Sequence, residues 1–268
     1  TSDGIIPNTG MDRYNVKLNA TANLSQNWTT GFSGNFITSK IKKQSSGNEG
    51  VVATIYGAPS SYDFNGIPSY IEGDPYTQNN YRSSTFNNAY WATDNNSFEE
   101  RSQRFFGNTY AQYNTNFGTD NHSLTAKYQL GVDAYSTIYS DNYGYGDSSF
   151  ATGYSRQDTY SITEMNSLFT LTYDWKITSD LDMNLLYGNE WVDKSTRVTT
   201  AEGYNFNFPG WNHIGNATTF QSGQSTTKKR TVGNFANLSL SWKSMLYFNA
   251  TVRNDIVSSM PRGNRSFT

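Results

Sequence analysis

Polar and apolar side chains alternate over most of residues 122–139. The apolar positions are Leu124, Ala126, Tyr128, Leu130, Val132, Ala134 and Ile138, and the polar positions between them include Thr125, Lys127, Gln129, Asp133 and Thr137. A period of two places successive side chains on opposite faces, so this segment is predicted to be a strand with one apolar face. It exceeds both the roughly 5–6 residues of most soluble strands and the about 9–11 that cross a bilayer obliquely. The pattern therefore predicts a strand of a transmembrane β-barrel wall.

Seven further segments carry the same alternation, and together they predict eight strands joined as four hairpins. The predicted strands are residues 12–24, 28–40, 105–117, 122–139, 160–175, 181–197, 230–242 and 246–255. The short turns are residues 25–27, 118–121, 176–180 and 243–245. Directly opposed residues of a hairpin share a face, so the parity of the apolar positions constrains each loop length. The predicted opposed pairs are Leu24 with Trp28, Phe117 with His122, Trp175 with Leu181, and Trp242 with Leu246.

A large aromatic residue flanks each short turn. These residues are Trp28, Phe117, Trp175 and Trp242. Amphipathic rings favour the headgroup level of a bilayer, so the four are predicted to form a membrane girdle. The alternative is that these rings fill the core of a soluble β-sandwich.

The connections between hairpins are long. They cover residues of about 41–104, 140–159, 198–229 and 256–268. Short turns of outer-membrane barrels face the periplasm and long loops face outward, so these four segments are predicted to be extracellular. Residues 1–268 are then part of one all-β, antiparallel transmembrane β-barrel domain, supplying about eight strands of a larger barrel. Both chain ends fall on the outer side, which favours an internal piece of that barrel.

The composition fits a barrel with a wet interior. Hydrophobic residues make up only 35% of the chain, whereas aromatic residues reach 16%. No apolar run approaches the roughly 18 residues that indicate a membrane helix. The absence of Cys fits the outer membrane of a Gram-negative cell, which is the predicted location. A net charge of −2 predicts no nucleic-acid partner.

Few residues suggest catalysis. His122 lies beside a predicted short turn and His213 lies in a predicted loop, so the two are not expected to share a site. Asp141 and Asp147 flank a Gly-rich stretch with oxygen ligands suited to calcium, but the spacing of an EF-hand is absent. A flexible surface loop is therefore the favoured interpretation. We predict no catalytic residue, no metal and no cofactor, and hence no enzyme.

The long connections contain many aromatic rings among amide side chains. Rings stack on the apolar faces of sugars and amides bond hydroxyl groups, so this mixture favours a glycan-binding role. The candidate substrate-binding residues are Tyr90, Trp91, Tyr204, Trp211 and His213. The alternative is that the rings pack the loops against themselves or against a covering partner. Residues 50–58, before Pro59, are predicted to form a short helix that is suited to docking.

Segments at both ends of the chain resemble the SusC/RagA-like TonB-dependent transporters of Bacteroidota. Residues 6–14 (IPNTGMDRY) are similar to that family's loop leading into a barrel strand. Residues 253–255 (RND) followed by 258–267 (SSMPRGNRSF) resemble its RND…SS-x-P-x-GN-x-SFF signature, which is the most specific match. Residues 88–91 (NAYW) resemble an NP-[YF]-W turn, with Ala89 where that family usually has Pro.

The resemblance implies a barrel of roughly 22 strands, closed by an N-terminal plug that is not in this sequence. It also implies a TonB complex that supplies energy through that missing part, and a SusD-like surface lipoprotein over the extracellular loops. The implied function is nutrient import, with glycans or oligosaccharides as the favoured substrates and carbohydrate uptake as the role. A peptide importer of the same family, a passive porin or an adhesin-type barrel are the alternatives. A soluble β-sandwich binding module is the third class.

Overall fold

The computed structural model describes residues 1–46, 50–82, 86–118 and 121–268. The strands are β1 (Ser2–Asp3), β2 (Gly10–Asn23), β3 (Trp28–Lys43), β4 (Tyr70–Ile71), β5 (Asp74–Gln78), β6 (Ser97–Phe117), β7 (His122–Tyr145), β8 (Thr152–Thr178), β9 (Leu181–Phe206), β10 (Ala217–Trp242), β11 (Leu246–Val257) and β12 (Ser266–Phe267). The helices are α1 (Val51–Gly57) and α2 (Ala89–Asn95), with a 3-10 turn at Ile214–Asn216. Neither helix is long or apolar enough to cross a membrane.

One antiparallel sheet contains all of the long strands. Its order is β1-β2-β3-β6-β7-β8-β9-β10-β11-β12, so each strand pairs with its neighbour along the chain once the small β4–β5 hairpin is set aside. The eight strands predicted from the alternation are all present as β2, β3 and β6–β11. Short turns close one end of the sheet and longer connections close the other, and we call these the short-turn end and the long-loop end.

The hairpin registers test the parity argument. Phe117 pairs with His122 and Trp242 pairs with Leu246, as predicted, and the Leu24 N–H donates to the Trp28 carbonyl. The prediction for Trp175 was wrong, because an irregularity between Lys176 and Thr178 shifts the register there.

Trp175 therefore lies opposite Met183, while Leu181 pairs with Thr178. The shift is an even number of residues, so Trp175 keeps its predicted face. The predicted turn at 118–121 includes Thr119 and Asp120, which lie outside the described residues.

One face of the sheet is apolar in continuous rows across the eight strands. One such row begins at Leu24, next to β2, and crosses the sheet through Trp28, Tyr113, Ala126, Leu171, Tyr187, Ala236 and Val252. The rows occupy the eight-residue step from Trp28 to Phe36 on β3. At roughly 3.3 Å per residue and a tilt of about 45°, that is on the order of 20 Å in height. We call this surface the apolar band.

Ion pairs limit the apolar band toward the long-loop end. Beyond Phe36 on the same face, Lys40 binds Glu99 at 3.2 Å. Beyond Trp191, Arg230 pairs with Asp193. Exposed charges on a lipid-facing surface are costly, so they mark where that surface stops being apolar.

The opposite face is mostly polar, and its rings at Phe106 and Phe235 lie beneath the guanidinium groups of Arg104 and Arg253. Its ion pairs include Arg104 with Asp133 (Nε–Oδ1 2.8 Å) and Arg253 with Glu190 (2.8 Å). Lys127 also lies over the Tyr110 ring at 4.6 Å from its centroid. Water or a polar solute is the environment that suits such a surface.

The long connections are shorter than predicted, because the strands continue past the apolar band. The predicted loop 140–159 reduces to residues 146–151, and 198–229 reduces to 207–216. The loop 41–104 becomes 44–96, and β11 and β12 take residues from 256–268. These extensions are rich in Thr, Ser and Tyr, which favour strands but show no apolar alternation when both faces are polar. Hydrogen bonds to the neighbouring strand extend these strands, and the residue pattern within a single strand does not reveal that pairing.

Residues 44–96, which we call the inner loop, have a small core of their own. α1 and α2 meet through Val51, Ala89 and Ala92, with Ile6 and Phe64 packed against them. The predicted helix at 50–58 is confirmed as α1. At α2, the Asn88 side chain accepts from the N–H groups of Tyr90 and Trp91, which caps the helix.

Candidate functional site

A buried carboxylate anchors the inner loop to the turn between β7 and β8. The Asp147 side chain is 1% exposed, and its Oδ2 accepts hydrogen bonds from the amides of Asn87 and Asn96, both at 2.8 Å. Its Oδ1 accepts from the backbone N–H groups of Ser149 (2.9 Å) and Phe150 (3.2 Å). Both carboxylate oxygens are therefore occupied by protein donors, and the flexible-loop interpretation of Asp147 is wrong.

Gln78 extends this anchor into the β4–β5 hairpin. Its Nε2 donates to the Asn87 Oδ1 (2.8 Å) and to the Gly146 carbonyl (2.7 Å), and its Oε1 accepts from the Asn88 N–H (2.7 Å). Gly146 has φ of +98°, and an added Cβ would lie 2.1 Å from the Tyr76 carbonyl oxygen. A side chain at position 146 is thus excluded both by conformation and by space. We call Gln78, Asn87, Asn96 and Asp147 the Asp147 network.

Asp141 does not share a loop with Asp147, contrary to the sequence interpretation. It lies on β7, and in the strand register it is opposite Arg156 of β8. In the part of the chain that the structure describes, no group of three His, Cys, Asp or Glu residues is arranged to hold a metal ion.

Trp91 is placed where it cannot contact a substrate. Its side chain is 0% exposed, and its Nε1 donates to the Pro75 carbonyl at 2.8 Å. It packs the inner loop instead of presenting a ring, so the prediction of a substrate-stacking face at Trp91 is wrong. The physical reason is the amphipathic helix α2, which turns Ala89 and Ala92 to the same buried side.

Tyr90 points away from that buried side and is 42% exposed. Its hydroxyl donates to the Asn65 Oδ1 at 2.6 Å. It borders an apolar cleft of about 440 Å³ that also includes the exposed α1 residues Val52 and Ile55. Tyr90 is therefore accessible to solvent. Its ring borders an apolar cleft, and its hydroxyl is bonded to one amide side chain.

Trp211 and His213 lie together in an exposed aromatic stack, which we call the outer platform. The Trp211 ring is parallel to His213 (centroids 5.0 Å apart, planes at 2°) and near-parallel to Phe208 (6.0 Å, 18°). Trp211 is 47% exposed. Asn216 holds the segment in place, because its Nδ2 donates to the carbonyls of both Phe208 and Trp211.

A hydrogen bond ties the outer platform to the inner loop. The Asn212 Nδ2 donates to the carbonyl of Asn95, the last residue of α2, at 2.8 Å. Trp91 and Trp211 thus lie on neighbouring segments, but only Trp211 offers a ring to solvent.

Tyr204 belongs to a different group, on the polar face of β8 and β9. Its ring centroid is 4.7 Å from that of Tyr154, and its hydroxyl lies 3.2 Å from Glu202. Tyr154 donates to the other Glu202 oxygen at 2.9 Å, and Arg156 binds Glu202 at 3.0 Å. Burial and the Glu202 carboxylate both raise the pKa of Tyr154, with burial the larger cause. The phenol is therefore a fixed donor, and Tyr204 is a half-buried member of a packed cluster.

A cleft that sequence reasoning missed opens on the polar face just above the apolar band, with a volume of about 680 Å³. We call it the tyrosine cleft. Its principal lining side chains are Lys43, Gln44, Phe98, Tyr135, Tyr139, Asp141, Tyr143, Asp158, Tyr160 and Ile162. The sequence signal was present, because tyrosines recur every fourth residue on the polar parity of β7. That recurrence does not by itself indicate a cleft, because the residues that complete it, from β3 and β8, are distant in sequence.

The charges of the tyrosine cleft are unequally paired. Asp158 is satisfied, since Arg156 binds its Oδ2 at 2.8 Å and Thr200 donates to its Oδ1 at 2.7 Å. Lys43 binds Glu100 at 3.6 Å and lies 5.2 Å from the Tyr139 ring centroid. Among the described residues, none donates a hydrogen bond to the Asp141 carboxylate. Burial raises the pKa of Asp141, with the attraction of Lys43 opposing that rise.

The predicted girdle residues all lie on the apolar face at the short-turn end. Trp28 packs on Tyr113 (centroids 5.1 Å apart), and Phe117 is stacked on His122 at 5.1 Å and 6°. His122 in turn stacks near Trp175 at 5.5 Å, and its Nδ1 lies 2.7 Å from the Tyr173 hydroxyl. His122 is therefore a member of the ring row and is far along the sheet from His213.

The fold is similar to that of solved transporter structures. The RagAB peptide transporter gives a TM-score of 0.75 at 19% sequence identity over 97% of this chain. The RagAB peptide importer gives 0.77 at 18% in its closed-closed state and 0.67 at 17% in its open-open state. In each case the chain spans 29% of the solved protein's length. The sequence matches no protein-family model and no curated protein.

The similarity confirms the fold class predicted from the sequence, an antiparallel transmembrane β-barrel wall. At 17–19% identity it concerns the fold alone.

Proposed function

We propose that this chain forms part of the wall and outer loops of an outer-membrane nutrient importer of the SusC-like, TonB-dependent type. The observation that carries the proposal is the continuous apolar band over eight strands, backed by a polar opposite face. A soluble sandwich would bury such a band against a second sheet, and no second large sheet is present among the described residues. The fold similarity to transporters supports the same conclusion.

In this proposal the apolar band faces lipid and the polar face lines the barrel interior. The short-turn end, with Trp28, Phe117, Trp175 and Trp242, lies at the periplasmic headgroups. The long-loop end, with the inner loop, the outer platform and the tyrosine cleft, lies on the cell exterior. A Gram-negative outer membrane is the location that this arrangement suits.

Glycans or oligosaccharides are the first proposed substrates. The outer platform carries that proposal, because its three stacked and exposed rings match the apolar face of a sugar. Neighbouring amides offer hydrogen bonds to hydroxyl groups. Tyr90 and Tyr204 remain candidate contacts in this proposal, whereas Trp91 has a packing role.

Peptides are the second proposed substrates. The tyrosine cleft favours them, because it combines aromatic walls with a carboxylate that lacks a donor. The solved relatives in fold are described as peptide transporters, which supports this candidate equally.

Two protein partners belong to the proposal. A TonB complex would supply energy, and a SusD-like lipoprotein would cover the outer loops. The exposed apolar side chains Val52, Ile55 and Tyr56 of α1 support a docking role for that helix, since they have no covering element among the described residues.

Uptake by cells tests the proposal. A strain deleted for the full-length gene is complemented with the gene, and accumulation of fluorescent oligosaccharides and peptides is compared with and without a protonophore. We expect complementation to restore uptake of one class and the protonophore to abolish it. Uptake that persists without the proton gradient would identify a passive porin, and surface attachment without uptake would identify an adhesin.

A further inference from the structure

In and around the tyrosine cleft, carboxylates outnumber cations. Glu100, Asp158 and Glu202 bind Lys43 and Arg156 directly, whereas Asp141 is attracted by these two cations only at longer range. Asp158 is saturated by Arg156 and Thr200, and Lys43 is held by Glu100. Asp141 remains, half-buried and without a hydrogen-bond donor among the described residues. A buried carboxylate without a donor costs free energy, so its position favours a cation from outside the chain.

A second polar atom of the cleft also lacks a partner. The Oε1 of Gln44 is fully buried and accepts no hydrogen bond from any described residue. Gln44 lines the cleft together with Asp141. Because that oxygen has no surface open to solvent, it is not available to a ligand in the cleft, and the partly exposed Asp141 carboxylate is the acceptor that a cationic ligand can reach.

The walls of the cleft suit such a ligand. Tyr139 and Tyr160 meet edge to face, with centroids 5.7 Å apart and planes at 89°, and both rings line the cleft. A cation near aromatic faces is attracted by the ring quadrupoles. Lys43 already shows this contact at Tyr139, which demonstrates that the ring accepts an ammonium.

We infer that the tyrosine cleft binds the primary ammonium group of a transported solute, with Asp141 as its counter-ion. The inference rests on the proposed import function for the origin of the solute. A peptide and an amino sugar both carry this group, so the experiment separates these sources. A neutral solute would leave Asp141 without a direct partner, and an anionic one would be repelled by it.

The position of the cleft fits a role in capture. It lies on the polar face directly above the apolar band, where a solute moving from the outer loops toward the barrel interior would pass. The raised pKa of Asp141 reports its partial removal from water, which strengthens any ion pair formed there.

Binding to the full-length, detergent-purified protein tests the inference. The probes are trilysine amide, a trinorleucine peptide with both termini blocked, the glucosamine trimer, and its N-acetylated form, each measured by calorimetry at pH 6. We expect Asp141→Asn to weaken the binding of the ammonium-bearing probes at least tenfold and to leave the binding of the neutral analogues unchanged. Asp141→Glu keeps the charge and is expected to restore most of the affinity.

Asp94→Asn is the matched control, because Asp94 is exposed on α2 and forms no ion pair among the described residues. A preference for trilysine amide identifies a peptide source and a preference for the glucosamine trimer an amino sugar, and both support the inference. Unchanged trilysine amide and glucosamine binding in Asp141→Asn would overturn it, as would equal losses for the neutral analogues. Because binding is measured without uptake, failure of import in cells and failure of ammonium recognition give separate results.

Discussion

The two halves of the long strands are stabilised in different ways. In the apolar band, each strand exposes one row of apolar side chains, which is the pattern that a lipid environment favours. At the long-loop end, both faces of β7–β10 are mostly polar, and order comes from the ladder, the Asp147 network and the small core of Val51, Ala89 and Ala92. The difference shows that one strand can be specified by its solvent at one end and by distant partners at the other.

Removal of the buried Trp91 ring should give the largest effect, and it should be confined to the long-loop end. Trp91→Ala deletes a fully buried side chain, which typically costs about 3–5 kcal/mol. We expect the inner loop to lose hydrogen-exchange protection in the full-length membrane-inserted protein while the apolar band keeps it. Tyr90→Ala, at the exposed neighbouring position, is the control and should retain protection. Equal protection in wild type and Trp91→Ala would contradict the packing role.

A charge placed in the apolar band should impair membrane assembly, which depends on that band and not on the long-loop end. Ala126 shares the apolar face with Leu124 and Tyr128, whereas Thr125 points to the polar face. Arg at a lipid-facing midplane position costs about 2–4 kcal/mol. Ala126→Arg is therefore expected to reduce the heat-modifiable, membrane-assembled fraction far more than Thr125→Arg. Similar assembly of the two variants would show that the faces are assigned incorrectly.

A change in the chemistry of the Asp147 network should have an intermediate effect on the stability of the inner loop. Asp147→Asn keeps the shape but presents an amide N–H₂ to groups that are themselves donors. Each buried polar group left unsatisfied costs about 1–3 kcal/mol. Limited proteolysis is expected to cut the inner loop faster than in wild type, with Asp94→Asn as the isosteric control. An unchanged cleavage rate would show that the network does not anchor the loop.

The smallest effect on stability is expected at the outer platform. Trp211 is nearly half exposed, so Trp211→Ala should change stability by no more than about 0.5 kcal/mol. Loss of one stacking ring is expected to weaken oligosaccharide binding by roughly 2–10-fold, from about 0.5–1.5 kcal/mol per aromatic pair.

Tyr56→Ala is the control for that measurement, because Tyr56 is 86% exposed and lies outside the platform. Wild-type affinity in both Trp211→Ala and the double variant with Phe208→Ala would remove the platform from the glycan proposal.

The candidate site was predicted unevenly. Residue type predicts Trp211 and His213 as candidates, and the two residues do lie together. The 3-10 turn and Asn216 hold their segment so that the two rings stack in parallel. Trp91 was chosen for the same reason and is buried, because the amphipathic face of α2 determines its exposure. Residue type alone does not distinguish these two cases.

Alternation along the chain by itself determined the eight long strands, their faces and three of the four hairpin pairs that parity predicted. This is possible because a bilayer acts on each strand separately, so the signal is local and has a period of two. Tertiary structure alone decided how far the strands extend past the apolar band, that Asp147 is an anchor, and that Tyr139, Asp141 and Tyr160 enclose a cleft. Those features depend on hydrogen bonds and contacts between residues far apart in sequence, which leave no periodic pattern in any single segment.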